Sequence, residues 1–142
     1  MMKRILGIDY GDVRTGIAIS DPLGITAGGV GTFRAYTDER LLEIILQKIS
    51  EYGATKIVMG DPINMNGSSG ERSRKAHRFA DLLREASGLE VALIDERMTT
   101  MEAHRYLSAT DTRGKKRKNA VDTLSAEIIL QTYLDSPAGK KD

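Results

Sequence analysis

The chain has no cysteine and no tryptophan, only two histidines and two phenylalanines, and no long apolar run. Without cysteine there can be no disulfides and no thiolate metal sites. His77 and His104 stand alone and read as surface residues of helices, so no histidine-rich metal pattern competes for attention. Two Phe, five Tyr and no Trp leave little from which to build a base-stacking platform. Nothing approaches the roughly 20 apolar residues a membrane helix needs, and no signal-peptide pattern opens the chain. A cytoplasmic protein with no membrane partner is therefore expected. Lysine and arginine number 21 against 20 acidic residues, a formal charge of +1, so only a local basic cluster could meet a polyanion. There is no internal repeat and no low-complexity tract.

With 142 residues the chain is long enough for one well-cored domain. That domain is expected over residues 1–135, with 136–142 as a flexible tail. Ile5-Leu6-Gly7-Ile8-Asp9 is too apolar for a surface strand and reads as a central one, covered on both faces. Gly16 to Ser20 forms a hairpin partner, and the Gly-rich stretch 27–34 an edge strand. Residues 38–52 carry Leu41, Leu42, Ile45, Leu46 and Ile49 on one helical stripe, stopped by Gly53. Lys56 to Gly60 and Glu90 to Asp95 are further buried strands. Ser68 with Glu71, and Thr99 with Glu102, read as capping boxes opening helices to about Ala86 and Ser108. A polar loop follows from Thr110 to Lys118, then a last helix from Asn119 to Leu134. This order predicts an α/β fold, a mixed five-stranded sheet flanked by helices on both faces.

Each buried strand ends on an acid. The first ends at Asp9, the second buried one at Gly60-Asp61-Pro62, the third at Asp95-Glu96-Arg97. Carboxyl ends of neighbouring parallel strands line one crevice, where ligands bind in open sheets. Acids gathered there raise one another's pKa unless a cation joins them. Magnesium, a hard ion held by a few carboxylates, water and phosphate oxygens, fits that need. Asp95 and Glu96 point to opposite faces of a strand, so only one can enter the cleft.

The last helix adds Asp122 in its first turn, where the helix dipole favours an acid in any case. Val121, Leu124, Ile128 and Leu134 mark its expected apolar face. Asp122, Ala126, Ile129 and Tyr133 form an adjoining row, and Glu127 falls toward solvent. Just before it, Arg113, Lys115, Lys116, Arg117 and Lys118 put five cations in six positions, suited to a nucleic-acid backbone. Arg72, Arg74, Lys75 and Arg78 add charge to the helix after Ser68.

Four blocks together resemble the YqgF/RuvX family. They are Asp9-x-Gly11-x-x-Arg14-x-Gly16-x-Ala18-x-Ser20-Asp21-Pro22-Leu23-Gly24, then Gly60-x-Pro62-x-Asn64-Met65-x-Gly67. Asp95-Glu96-Arg97-x-Thr99-Thr100 and Asp122-x-x-Ser125-Ala126 with Ile129-Leu130-Gln131 complete the set, in the family's order. The resemblance implies a ribonuclease H-like fold and a metal-dependent endonuclease. It would act in maturation of the small-subunit (16S) ribosomal RNA precursor or on Holliday junctions. It further implies Asp9, Glu96 and Asp122 as catalytic acids holding Mg²⁺ or Mn²⁺, two ions in all. Arg14, Asn64, Arg97 and Thr99 would lie on the substrate side. Where the family has an apolar residue this chain has Asp61, either an additional metal ligand or a partner in the Asp-Pro turn. A junction resolvase must make paired cuts, which implies a homodimer. Two rivals remain: a non-catalytic RNA- or ribosome-binding module, and an actin- or hexokinase-like ATPase, which would need two such domains.

Overall fold

Three consecutive apolar or small residues, Leu6, Gly7 and Ile8, each paired with a strand on both sides, set the centre of the molecule. The computed structural model describes residues 3–64, 66–97 and 114–141, with backbone alone at 114–120 and 141. Strand β1 (Ile5–Asp9) pairs antiparallel with β2 (Arg14–Ser20) and parallel with β4 (Lys56–Asp61). Strand β3 (Ala27–Arg34) adds antiparallel to β2, and β5 (Val91–Asp95) parallel to β4. The order is β3-β2-β1-β4-β5, the mixed five-stranded sheet expected.

Helices α1 (Asp38–Tyr52) and α2 (Glu71–Ser87) cover one face, and α3 (Gly114–Asp135) covers the other. Strand alternation sorts the core. Leu6, Ile8, Ile17, Ile57 and Met59 pack with Ile45 of α1 and with Phe79 and Leu83 of α2. Each such side chain contributes roughly 1.5–3 kcal/mol on burial. On the opposite face Ile5, Ala18 and Val58 meet Ala126, Ile129, Leu130 and Tyr133 of α3.

Helix α1 keeps its expected bounds. Thr37 accepts from the Arg40 amide at 3.2 Å, and Gly53 ends the helix at φ 67°, a left-handed cap. Helix α2 does not start at the predicted capping box. Its N-cap is Gly70 without a side-chain bond, because Ser68 is engaged elsewhere: its amide and hydroxyl both donate to Asn66 Oδ1, at 3.0 and 2.6 Å. An Asx turn has outcompeted the cap.

Helix α3 departs further. It begins at Gly114, not at Asn119, so Lys115 to Lys118 are helical where a loop was expected. Lysine and arginine are good helix formers, and charge density is a poor loop signal. Its buried row is Ser125, Ala126, Ile129, Leu130, Tyr133 and Leu134, while Val121, Leu124 and Ile128 are only partly covered. The reason lies in the sheet beneath. A Cβ on Gly16 would overlap the Asp122 carbonyl, and one on Gly7 would lie 2.7 Å from Leu130 Cβ. The helix backbone sits directly on glycine, so small residues, not the most hydropathic ones, face inward. Glu127, assigned to solvent, instead lies half-buried against Gly29. Beyond Ser136, where a flexible tail was expected, there is a short helix, α4 (Pro137–Lys141). The expected helix from Thr99 to Ser108 lies outside the described residues.

Candidate active site

Alternation decides which acids meet. Along β1 the positions of Ile5, Gly7 and Asp9 lie on the α3 face, and on β4 those of Val58 and Gly60 do the same. Register pairs Asp61 with Asp95, so both belong to the opposite side, and Glu96 falls on the face of Asp9. Gly60 is what makes room: a Cβ there would lie 2.6 Å from Glu96 Cγ and Cδ. Glu96 therefore lies across β4 and reaches Asp9, whose carboxyl is within hydrogen-bonding distance of its own. Asp95 turns away and takes Arg97, Nε to Oδ2 at 2.8 Å and Nη2 to Oδ2 at 2.6 Å.

The Asp9–Glu96 pair is electrostatically strained. Burial, then the charge and hydrogen bond of Glu96, then the charge of Asp122 push the Asp9 carboxyl well above the usual range, against the pull of Arg72. Burial likewise raises Glu96, opposed by its hydrogen bond with Asp9 and by Arg72. Two buried carboxyls in this relation share a proton when no cation is present. Asp122, in α3 above β2, is raised by burial and restrained by Arg14, whose Nε lies 3.1 Å from Asp122 Oδ2. Among the described residues no three such groups are close enough to enclose an ion together. Asp9 and Glu96 are joined, whereas Asp122 stands at the same cleft turned toward Arg14. The cleft, about 410 Å³, has Asp9 and Asp122 in its lining, together with Arg14, Arg34 and Arg72.

The residue after Asp9 is pinned. Tyr10 stacks on Phe79 with ring centroids 5.0 Å apart and donates to Asp38 Oδ1 at 2.7 Å, tying the end of β1 to both α1 and α2.

Asp61 is buried, 7% exposed, and faces α2. Ser73 Oγ donates to its Oδ1 at 2.6 Å, and His77 Nε2 stands 2.7 Å from its Oδ2. Both oxygens are thus occupied on the side of the sheet away from Asp9. His77 is the exposed helix residue expected from sequence, and it is also half of this contact. The signal available was Ser73 and His77 at i and i+4 on the face that also carries Ala76 and Ala80, opposite a buried acid.

The expected substrate-side residues are scattered. Arg14 is paired with Asp122 and Arg97 with Asp95. Asn64 is exposed and donates to Ser68 Oγ at 3.1 Å, bracing its own loop. Thr99 and Arg113 lie outside the described residues, and Lys115, Lys116, Arg117 and Lys118 are placed by backbone only.

Comparison with known proteins gives a consistent result. The profile of a family described as RuvX, Holliday junction resolvase, matches residues 3–136. A relative from Ruminiclostridium cellulolyticum, provisionally named a pre-16S rRNA nuclease, is 44% identical over 97% of this chain and 98% of its own. Relatives with the same provisional name from Halothermothrix orenii and Clostridium botulinum are 46% and 47% identical, over 93% and 94% of this chain and 94% and 97% of theirs. Among solved structures, Thermus thermophilus RuvC bound to a Holliday junction superposes with a TM-score of 0.59 at 13% identity, covering 96% of this chain and 97% of that one. The fowlpox virus resolvase with junction DNA gives 0.54 at 12% identity, covering 94% and 99%. At such identities the likeness is one of fold, and it is the ribonuclease H-like fold expected.

Proposed function

Because this chain belongs to the RuvX family, we propose that it is a metal-dependent endonuclease whose metal-binding acids are Asp9, Glu96 and Asp122. The observation that carries this reading is the Asp9–Glu96 pair, two carboxyls from separate strands brought together in a buried spot where both cannot remain ionised without a cation. The donor set is carboxylate oxygen throughout, the preference of a hard ion such as Mg²⁺ or Mn²⁺, and two ions are proposed. Bound there, such ions supply Lewis acidity and water activation for phosphodiester hydrolysis.

The protein's own residues do the rest. Asp9 and Glu96 would release their shared proton to solvent and present carboxylate oxygens from two strand ends. Asp122 would supply the third carboxylate from α3, and Arg14, paired with it, would stand on the substrate side. Tyr10 holds the end of β1 still while this happens. Arg113 and the Lys115 to Lys118 run contact the substrate backbone at the start of α3, with Thr99, Asn64 and Arg97 as further contacts. Asp61 is assigned no ligand role, its oxygens being taken by Ser73 and His77.

The proposed substrate is the 16S ribosomal RNA precursor, supported by relatives at 44–47% identity over nearly their whole length. Such a substrate puts the enzyme in the cytoplasm, and among the described residues no helix is long and apolar enough to cross a membrane. A single RNA cut needs one site, whereas resolving a four-way junction would require two copies acting as a dimer.

The test sets a precursor rRNA fragment beside a four-way DNA junction, each with Mg²⁺ or Mn²⁺ and with wild type or Asp9→Asn, products mapped on a gel. Cleavage of the RNA that disappears in Asp9→Asn is the expected result. Metal-independent cleavage would overturn the metal dependence, and cleavage of neither substrate despite tight binding would overturn the nuclease reading.

A further inference from the structure

Four cations crowd the first two turns of α2, and three of them are occupied. Arg74 and Arg78 both reach Glu71, at 3.2 and 3.6 Å, and Lys75 reaches Asp12 at 3.5 Å. Arg72 has no hydrogen bond or ion pair among the described residues. It lines the cleft of about 410 Å³ that holds Asp9 and Asp122, and also an adjoining cavity of about 230 Å³ lined by Pro62 and Lys75. Arg72 therefore stands between the acid cluster and a second recess, in which Lys75 is paired with Asp12.

That position is held from below. The next residue, Ser73, is fully buried and bonded to Asp61, which fixes the first turn of α2 against the end of β4. Across the cleft, Arg34 ends β3 in register with Arg14 of β2. Arg14 is committed to Asp122, whereas Arg34 is exposed and also without a hydrogen bond or ion pair among the described residues. Two arginines without a hydrogen bond or ion pair among the described residues thus line the cleft with the acids, one from the end of β3 and one from the start of α2.

We propose that Arg72 and Arg34 form a phosphate-binding pair, gripping the nucleic-acid backbone on either side of the bond that lies over Asp9 and Asp122. The inference rests on the nuclease reading above and extends it by naming the path of the strand, from the end of β3 to the start of α2. The guanidinium fork suits this task, since it matches phosphate with paired donors and never loses its charge. Arg72 has a second consequence. Its charge reaches Asp9 and Glu96, so it opposes the arrival of a divalent ion while favouring a phosphate. Removing it should act with opposite signs on the two ligands, which a purely structural arginine would not do.

The experiment compares Arg72→Gln, Arg34→Gln and the control Lys140→Gln, the last lying at the other end of the sheet beside Lys3 and Ile5. Mn²⁺ alone is titrated by calorimetry. Labelled precursor RNA and four-way DNA junction are titrated by anisotropy in Ca²⁺ across a salt series, and melting curves check the fold. Arg72→Gln is expected to tighten Mn²⁺ roughly threefold and to weaken nucleic acid about tenfold. Its log–log salt slope should fall by about one. Arg34→Gln should weaken nucleic acid similarly and leave Mn²⁺ unchanged. Lys140→Gln should match wild type. Nucleic-acid affinity and salt slope unmoved by both arginine variants would overturn the proposal, as would Arg72→Gln weakening both ligands together. If the wild type cuts neither substrate yet the slopes shift as stated, the nuclease reading fails and the phosphate pair stands. Cleavage with unmoved slopes gives the reverse.

Discussion

One face of the sheet is paved with Leu6, Ile8, Ile17, Ile57 and Met59 and packs against α1 and α2, while on the other Gly7, Gly16, Ala18 and Gly60 lie among Ile5 and Val58. The large-residue face holds its helices at side-chain distance and supplies most of the apolar burial. The small-residue face lets α3 rest on the strand backbones and lets Glu96 lie across β4. Asp9, Glu96 and Asp122 all belong to the small face, and Asp61, the acid with satisfied partners, belongs to the large one. The difference separates two kinds of tolerance. A packed apolar layer accepts changes that conserve volume, whereas a glycine floor under a helix accepts no added atom.

The sharpest way to break this contrast is Asp9→Asn. Cleavage should fall more than about 10²-fold, since even outer partners of metal ligands cost 10–100-fold. Metal-free stability should move the other way. The raised Asp9 carboxyl favours the protonated form in the folded state, so the stability it lends is complete below the unfolded carboxylate range and is lost as pH rises through the folded value. Above that window the ionised Asp9 destabilises the fold, and Asn should raise the metal-free melting temperature, with the gain shrinking as pH drops. A melting temperature that is lower at every pH would show that the carboxyls are not in conflict.

Next in size, Ile8→Ala on the large face should cost about 2–5 kcal/mol in urea unfolding while cleavage per folded molecule stays near wild type. Gly60→Ala on the small face should cost less, about 1–3 kcal/mol, yet lose most activity, because the added carbon meets Glu96. Equal activity loss in the two variants would erase the distinction between the faces. The smallest effect is expected from Asp61→Asn. It should lose about 1–3 kcal/mol from a disturbed buried hydrogen-bond set, with Mn²⁺ affinity within roughly twofold of wild type. A drop in metal affinity like that of Asp9→Asn would make Asp61 a ligand after all.

Much of this plan can be read along the chain. The apolar run of β1, the stripe and cap of α1, and acids at strand ends are local patterns, and local patterns survive into the structure. Strand alternation narrows Asp95 and Glu96 to one cleft residue, but only Gly60, on the neighbouring strand, shows how Glu96 fits. The inward face of α3 was misread because hydropathy favours Val121 and Ile128, whereas the close approach is decided by glycines over a hundred positions earlier in the chain. The Asp61–His77 contact crosses from a strand to a helix, and no single-segment period reveals it. The α2 cap failed for a local reason, a nearby asparagine that bonded Ser68 first.

The position of α3 in the chain has a consequence for how the protein comes into being. A domain generally folds as a unit, once the segments it needs have been synthesised. A nascent chain that has reached residue 97 holds all five strands and both Asp9 and Glu96, but its glycine floor is still bare and its third acid has not been made. Asp122 arrives on the same helix that covers that floor. If Asp122 serves as proposed, completion of the fold and competence to cut are one event. A protein born among the RNAs proposed as its substrate would stay harmless until it is finished.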